Sequence, residues 1–320
     1  MPGSVATAPS RICRLGVTDF LRDTDIRTDE LVALLNLADD VKRSPRDYTG
    51  ALGGQSVVLM FEKPSLRTRC TFEIGIHQLG GHPLQFDGPI GGREPLKDIA
   101  RNFARWTGGI VARTFKQSTL DELAKWSSVP VINALSDLYH PCQALADTQA
   151  LRERFGELRG LKVAFVGDGT NVAHSLLLCM SRLGVHFSFA SPAGYLPNPD
   201  ILDVAQGFAK VSGGSITLTL DPVSAVKGAN AVYTDIWVSM GWEAETSMRH
   251  AAFREYQVNS ELMSNADPSA VFMHCLPATR GEEVTDEVIE SKQSIVFDQA
   301  ENRLHAQKAL MIALLGRKDL

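Results

Sequence analysis

Ser65-Leu66-Arg67-Thr68-Arg69 gathers two hydroxyls and two guanidinium groups into one short stretch. It lies between the apolar run Val57-Val58-Leu59-Met60 and the helical pattern Phe72, Ile74, Ile76 and Leu79, which stops at Gly80-Gly81. A buried strand, a polar turn and a helix start together favour an anion, because a helix N-terminus carries free N–H donors and partial positive charge. Pro64 suits the first turn of a helix, and the hydroxyls of Ser65 and Thr68 stand beside its unpaired amides. Guanidinium forks match phosphate oxygens in a way that lysine does not, so Arg67 and Arg69 complete what reads as a phosphate cradle. The alternative is a surface helix cap whose arginines pair with Glu62 and Glu73.

Other chemistry-bearing groups also fall at the ends of apolar runs. Arg113-Thr114-Phe115 follows Gly109-Ile110-Val111-Ala112, and His140-Pro141-Cys142-Gln143 follows the run 129–133. His140 and Gln143 offer an imidazole, neutral or protonated, and an amide to a carbonyl and its neighbouring nitrogen; the alternative is a histidine that caps its own helix. Gly167-Asp168-Gly169-Thr170-Asn171-Val172 is a partial dinucleotide fingerprint. Val172 stands where the third glycine belongs, and the next strand ends without an acidic residue for a ribose. Asn171 and the free amides beside it suit a substrate carboxylate better. Asp235-Ile236-Trp237-Val238-Ser239-Met240-Gly241 offers Asp235 to an ammonium and Ser239 to a carboxylate or ammonium. In His274-Cys275-Leu276-Pro277 the thiol is either an inert core group or one tuned by charged neighbours. A Cys-His nucleophilic pair is disfavoured, since neighbours on a strand point to opposite faces. Arg303 adds a fixed cation, unless it simply pairs with Glu301 or Asp298.

Composition narrows the setting. With 320 residues, 44% apolar and 22% charged, the chain supports two ordinary domains. A net charge of -5 without a long basic run argues against nucleic acid as a partner, so an anionic ligand must be held by local arginines. The five cysteines include no Cys-x-x-Cys pair, which indicates neither a disulfide framework nor a thiolate zinc site and fits a reducing cytoplasm. No apolar run is long enough to span a membrane. Residues 1–15 carry Arg11 and Arg14 without an acid, a faint echo of a transit peptide; a disordered leader is the reading preferred here.

Stepping along the chain, apolar strands alternate with helices: a helix from Thr28 with Leu31, Leu34, Leu35, Ala38 and Val41 on one face, a strand near 83–86, helices over 96–106 and 120–126, and one over 141–155. The same beat then repeats, with strands over 161–166, 186–190, 216–220, 231–234 and 271–273 and helices over 171–183 and 200–211. The expected fold class is α/β, with two similar parallel sheets flanked by helices and a boundary near 150–160. A final helix is expected from about 300 to 315. In such sheets ligands bind at the carboxyl ends of the strands, where all these groups fall.

Taken in order and spacing, these motifs resemble the aspartate and ornithine carbamoyltransferases, with Phe61-Glu62-Lys63 leaning toward the ornithine branch; the resemblance runs from about residue 18 to residue 316. It implies a carbamoyl phosphate domain over 1–150, joined by the last helix (300–320), and an ornithine domain over 151–299. It also implies a homotrimer, no metal and no cofactor. By the resemblance, Ser65, Leu66, Arg67, Thr68 and Arg113 hold the phosphate, with His140, Gln143 and Arg303 on the carbamoyl group. Asn171, Asp235, Ser239 and Met240 hold the backbone groups of ornithine, and Cys275 with Leu276 faces its side-chain amine. Arg113, His140, Cys275 and Arg303 are then the catalytic set. The implied reaction joins carbamoyl phosphate and L-ornithine, and the proton acceptor is a Cys275 thiolate or the leaving phosphate. Two departures stand out: Leu66 replaces a threonine common in relatives, and the loop 88–93 has no clear counterpart of the glutamine that some relatives send to a neighbouring site. Leu66 and Pro89 also resemble enzymes acting on acylated ornithines, whereas Ser239-Met240-Gly241 favours a free α-amine. A carbamoyltransferase for an acylated ornithine or a diamine, or a non-catalytic homologue, is the alternative.

Overall fold

The computed structural model describes residues 13–239 and 241–317. In the first half, α1 (Thr28–Arg43) precedes β1 (Ser56–Phe61), α2 (Arg67–Gln78), β2 (His82–Asp87), α3 (Leu96–Trp106), β3 (Gly109–Arg113), α4 (Gln117–Trp126), β4 (Val131–Leu135) and α5 (Pro141–Phe155). The second half begins with β5 (Lys162–Val166), α6 (Asn171–Arg182), β6 (His186–Ala190), α7 (Pro199–Ser212), β7 (Ser215–Thr219), α8 (Pro222–Val226) and β8 (Ala231–Thr234). It continues with α9 (Thr246–Phe253), α10 (Ser260–Met263), β9 (Val271–His274), α11 (Asp286–Ile289) and α12 (Val296–Leu315).

The strands form a four-stranded sheet, ordered β2-β1-β3-β4, and a five-stranded sheet, ordered β7-β6-β5-β8-β9. All pairings are parallel. Helices cover both faces, which is why β1 and β3 are apolar along nearly their whole length and buried rather than alternating. Each sheet reverses its winding once, between β1 and β3 and between β5 and β8, and those two switch points open the crevices in which ligands of such folds sit. Register does the rest. Phe61 pairs with Arg113, so the turn after β1 lies beside that arginine. Thr234 pairs with His274, so Asp235 and Cys275 leave adjacent strands side by side. Ala112 pairs with Asn133 but Arg113 with Leu135, so β4 carries one extra residue, Ala134, opposite the end of β3.

The α/β class with two parallel sheets and a returning terminal helix is as expected. The final helix departs in its limits: it begins at Val296, not near 300, and ends at Leu315. Val296 and Gln299 are buried and Gln299 N–H donates to Ile295 C=O, so packing adds a turn that no capping residue announces. The helix lies against α1, α2 and α5, and its Leu310, Met311 and Ile312 join a core that also holds Leu34, Phe72 and Leu151. The fourth strand is shifted to 131–135, because Pro130 has no N–H for the ladder and contributes only its carbonyl, to Ile110. Helices α8 to α11 were not foreseen; none is long enough to show a helical period.

Candidate active site

The carboxyl ends of both sheets face a cavity of about 450 Å³. Ser65, Leu66, Arg67 and Thr68 line it from the turn into α2, Arg113 from the end of β3, and His140 and Gln143 from the start of α5. Asn171 lines it from α6, Asp235 and Ser239 from the loop after β8, Cys275 and Leu276 from the end of β9, and Arg303 from α12. Every candidate among the described residues except Arg69 therefore meets in one place; Met240 lies outside them. Lys63, Pro64, Leu135, Val172, Ile236 and Pro277 complete the wall.

The first turn of α2 has no side-chain cap, so its amides are free to meet a ligand. Arg113 Nη1 donates to Ser65 Oγ at 3.2 Å, and Arg303 Nη2 donates to Thr68 Oγ1 at 2.7 Å. Arg69 does not join the cradle. It pairs with Asp87 at 2.9 Å, on the far side of the turn, because residues two apart on a helix face away from each other. Nor do Glu62 and Glu73 neutralise the arginines: Glu62 accepts from the Ile90 and Phe115 amides, and Glu73 from Gln85. Leu66 directs its side chain to solvent, being 73% exposed, so the absent threonine hydroxyl leaves the backbone of the turn in place.

The electrostatics are those of a site waiting for negative charge. Burial lowers the Arg113 guanidinium to about 10, and Arg303 and then Arg67 add to the effect by repulsion. Burial and the same kind of repulsion, from Arg303 and Arg113, hold His140 well below the usual histidine range, so its imidazole is neutral. His140 Nδ1, Arg113 Nε and Arg303 Nε are buried and find no hydrogen-bond partner among the described residues. Arg67, Arg113 and Arg303 line the same cavity, and three guanidinium groups around one space suit a ligand rich in oxygen.

The opposite wall is acidic. Asp235 is buried, which raises its carboxyl, and it accepts from the Cys275 thiol at 3.1 Å and from its neighbour's amide, Ile236 N–H, at 2.8 Å. Burial and then Asp235 push Cys275 well above the ordinary thiol range, so the thiolate weighed above is strongly disfavoured. No Cys-His pair forms: His274 Nδ1 accepts the Leu276 amide at 2.8 Å, and Nε2 lies 3.2 Å from Glu283. Leu276 has φ 56°, a left-handed backbone rare for a leucine; the Leu276 amide's bond to His274 holds it there. Asp235, His274 and Cys275 place potential metal-ligand atoms within 4.8 Å of one another, but His274 Nδ1 already accepts the Leu276 amide. Gly169 of the partial fingerprint serves packing: a Cβ there would lie 2.3 Å from Pro197 N.

Two supporting groups had no clear signal in the sequence. Asp147, fully buried on α5, accepts from Gln143 Nε2 at 2.7 Å, Gln299 Nε2 at 2.6 Å and Tyr233 OH at 3.0 Å. With its Nε2 so committed, Gln143 turns its Oε1 toward Arg303, which donates to it. The spacing of Gln143 and Asp147, one helical turn apart, was the only hint. Arg249 on α9 donates to Asp168, Glu245 and Trp237 C=O, and lies 4.1 Å from the Trp242 ring, so it anchors the loop that carries Ser239. Nothing local predicted it.

The cavity joins three arginines and Asp235 at the ends of two parallel sheets; the chain is a carbamoyltransferase, and it belongs to the aspartate/ornithine carbamoyltransferase family. Residues 18–153 match that family's carbamoyl-P binding domain, and residues 159–314 its Asp/Orn binding domain. Within the family its relatives include ornithine carbamoyltransferases. That of Thermococcus kodakarensis is 48% identical over 94% of this chain and 96% of its own length, and that of Methanothermobacter thermautotrophicus is 51% identical over 90% and 96%. The structure of the Pyrococcus furiosus ornithine carbamoyltransferase superposes with a TM-score of 0.90 at 44% identity, covering 96% of this chain and 99% of that one.

Proposed function

We propose that this chain transfers the carbamoyl group of carbamoyl phosphate to the δ-amine of L-ornithine, giving L-citrulline and phosphate. The observation that carries the reading is the division of one cavity into a wall of Arg67, Arg113 and Arg303 and a facing wall of Asp235. The first matches a phosphate dianion and its carbamoyl oxygen, the second an amino acid's ammonium.

In this reading Ser65, Leu66 (through its amide), Arg67, Thr68 and Arg113 hold the phosphate. His140 and Arg303 donate to the carbamoyl oxygen, while Gln143 steers Arg303. Asn171, Asp235, Ser239 and Met240 hold the amino-acid end, with Cys275 and Leu276 beside the side-chain amine. The deprotonated amine attacks the carbamoyl carbon, and the new C–N bond forms as charge gathers on oxygen. Donors fixed in a dry site stabilise that charge without reorganising. The C–O bond to phosphate then breaks and phosphate leaves. The side-chain ammonium loses its first proton to solvent before attack; because Cys275 is held as a thiol, the departing phosphate is the better acceptor for the second proton, which nitrogen sheds once the C–N bond has formed. None of these steps uses a metal or cofactor.

The test is product formation from carbamoyl phosphate with L-ornithine, N-acetylornithine, N-succinylornithine, putrescine and aspartate in parallel. Citrulline from ornithine is expected; turnover of an acylated or decarboxylated amine alone would overturn the substrate assignment. Arg67→Ala is expected to weaken carbamoyl phosphate at least about tenfold, since a charged hydrogen bond is worth roughly 1.5–3 kcal/mol, and to leave ornithine affinity little changed. Asp235→Asn is expected to raise the KM for ornithine by a similar factor; steady-state kinetics that left it unchanged would remove Asp235 from the ammonium site.

The same reading places a carbamoyl phosphate unit at 1–150 with the terminal helix, and an ornithine unit at 151–299. It makes the protein a cytoplasmic homotrimer, which sedimentation equilibrium would test. Among the described residues no helix is long and apolar enough to cross a membrane.

A further inference from the structure

Three side chains on one face of the first turns of α6, at 171, 174 and 175, reach back to the loop that ends in His140. Asn171 Nδ2 donates to Ser136 C=O at 2.6 Å. The His174 ring accepts the Asn198 amide at Nε2, 3.0 Å away, so its proton is on Nδ1 and goes to Leu138 C=O at 3.0 Å. Ser175 Oγ accepts the His140 amide at 2.9 Å and donates to Asp23 Oδ2 at 2.6 Å. Asp23 itself comes from the segment before α1 and is only 6% exposed.

The His140 backbone is thereby held on both sides, its N–H by Ser175 and its C=O by the Gln143 and Ala144 amides of α5. The ring reaches the cavity from a backbone it cannot move. A carboxylate at Asp23 fixes the Ser175 hydrogen toward itself, which leaves the lone pairs of Ser175 Oγ for His140.

We propose that Asp23, acting through Ser175, is a positioning residue that sets His140 for carbamoyl transfer. The proposal rests on the carbamoyl-transfer reading above and adds to it a group that does not touch the cavity. Asp23 faces Arg182 and Cys179 on α6, Asp25 in its own turn, Tyr139 in the His140 loop and Cys142 on α5. Burial raises its carboxyl to about 7, against the opposing effects of Ser175 and Arg182. As pH falls through that value the carboxylate becomes a neutral acid, and its grip on the Ser175 hydrogen weakens.

The experiment is citrulline formation at saturating carbamoyl phosphate and ornithine by wild type, Ser175→Ala and Asp23→Asn, from pH 6 to pH 8.5. Ser175→Ala is expected to lower kcat about tenfold at pH 8.5 with both KM values within about threefold, since sub-ångström misplacement acts on the rate more than on binding. Asp23→Asn imitates the neutral acid, so the ratio of wild-type to variant kcat should be about five to ten at pH 8.5 and approach one at pH 6. A purely structural role would give a ratio independent of pH. Circular dichroism checks the fold; if Ser175→Ala does not fold, the pH course of the isosteric Asp23→Asn variant decides alone. A flat ratio, or wild-type kcat in a folded Ser175→Ala protein, would overturn the proposal while the wild type still made citrulline. A wild type that makes no citrulline overturns the carbamoyl-transfer reading, and this inference with it.

Discussion

Replacing Arg303 with leucine is expected to lower kcat for citrulline formation by at least about 10²-fold, the usual loss when one fixed donor to a developing oxyanion is removed. Arg303 is 2% exposed, and its protein partners, Gln143 Oε1 and Thr68 Oγ1, are both neutral. Its Nε has no hydrogen-bond partner among the described residues. A cation that is buried and so lightly compensated is held for something else, and the carbamoyl oxygen lies within the same cavity in the proposed reaction. Leucine keeps much of the volume and removes the donors. Arg303→Lys is not expected to rescue, because one ammonium cannot span Thr68, Gln143 and the substrate as a planar fork does. Steady-state rates at saturation with both substrates would settle it; a leucine variant within tenfold of wild type would exclude Arg303 from the reacting centre.

The second large effect is on stability. Asp147→Ala removes the acceptor of Gln143 Nε2 and of Tyr233 OH and one of the two acceptors of Gln299 Nε2, which keeps Tyr233 OH, in a site closed to water. Buried donors stripped of partners cost roughly 1–3 kcal/mol each, so a loss of about 3–5 kcal/mol is expected, together with a slower enzyme because Gln143 is released from its orientation. The midpoint of thermal unfolding should fall by on the order of 10 °C. Asp147→Asn is the informative control, since one acceptor oxygen remains for both amides. Burial raises the Asp147 carboxyl to about 7, from an ordinary 3.8. A folded-state value raised in this way means that the stabilisation is fully present below about 4 and is lost as pH rises through about 7. The asparagine cannot ionise. Its melting temperature relative to wild type should therefore be higher at pH 8.5 than at pH 5.5; an identical difference at both pH values would show that Asp147 does not titrate in this range.

Much of this site was legible because its residues sit at strand ends, where an apolar run gives way to a polar turn. Ser65, Arg113, His140, Asp235 and Cys275 all follow that rule, and the parallel fold does the work of bringing them together. Arg69 was misplaced by reading residue type without helical phase: two positions on from Arg67 it cannot share the same anion. The start of α12 was hidden because burial, not a cap, begins it. Asp147, Tyr233 and Gln299 come from three elements far apart in sequence, and no local pattern joins them. The same is true of Asp23, Ser175 and His140. Chemistry carried by a single turn can be read along the chain, whereas support from behind the site depends on tertiary packing.

The packing of α12 against α1, α2 and α5 also sets a timetable for synthesis. Roughly 140 residues separate the end of α5 at Phe155 from Val296. At about 5–20 residues per second, a ribosome takes some 7 to 28 seconds to cross that gap. Throughout that interval the nascent first half has its strands and the turn of Ser65, yet it lacks both Arg303 and the apolar helix that seals its flank. Until α12 docks, the apolar faces of α1, α2 and α5 that it covers stay exposed.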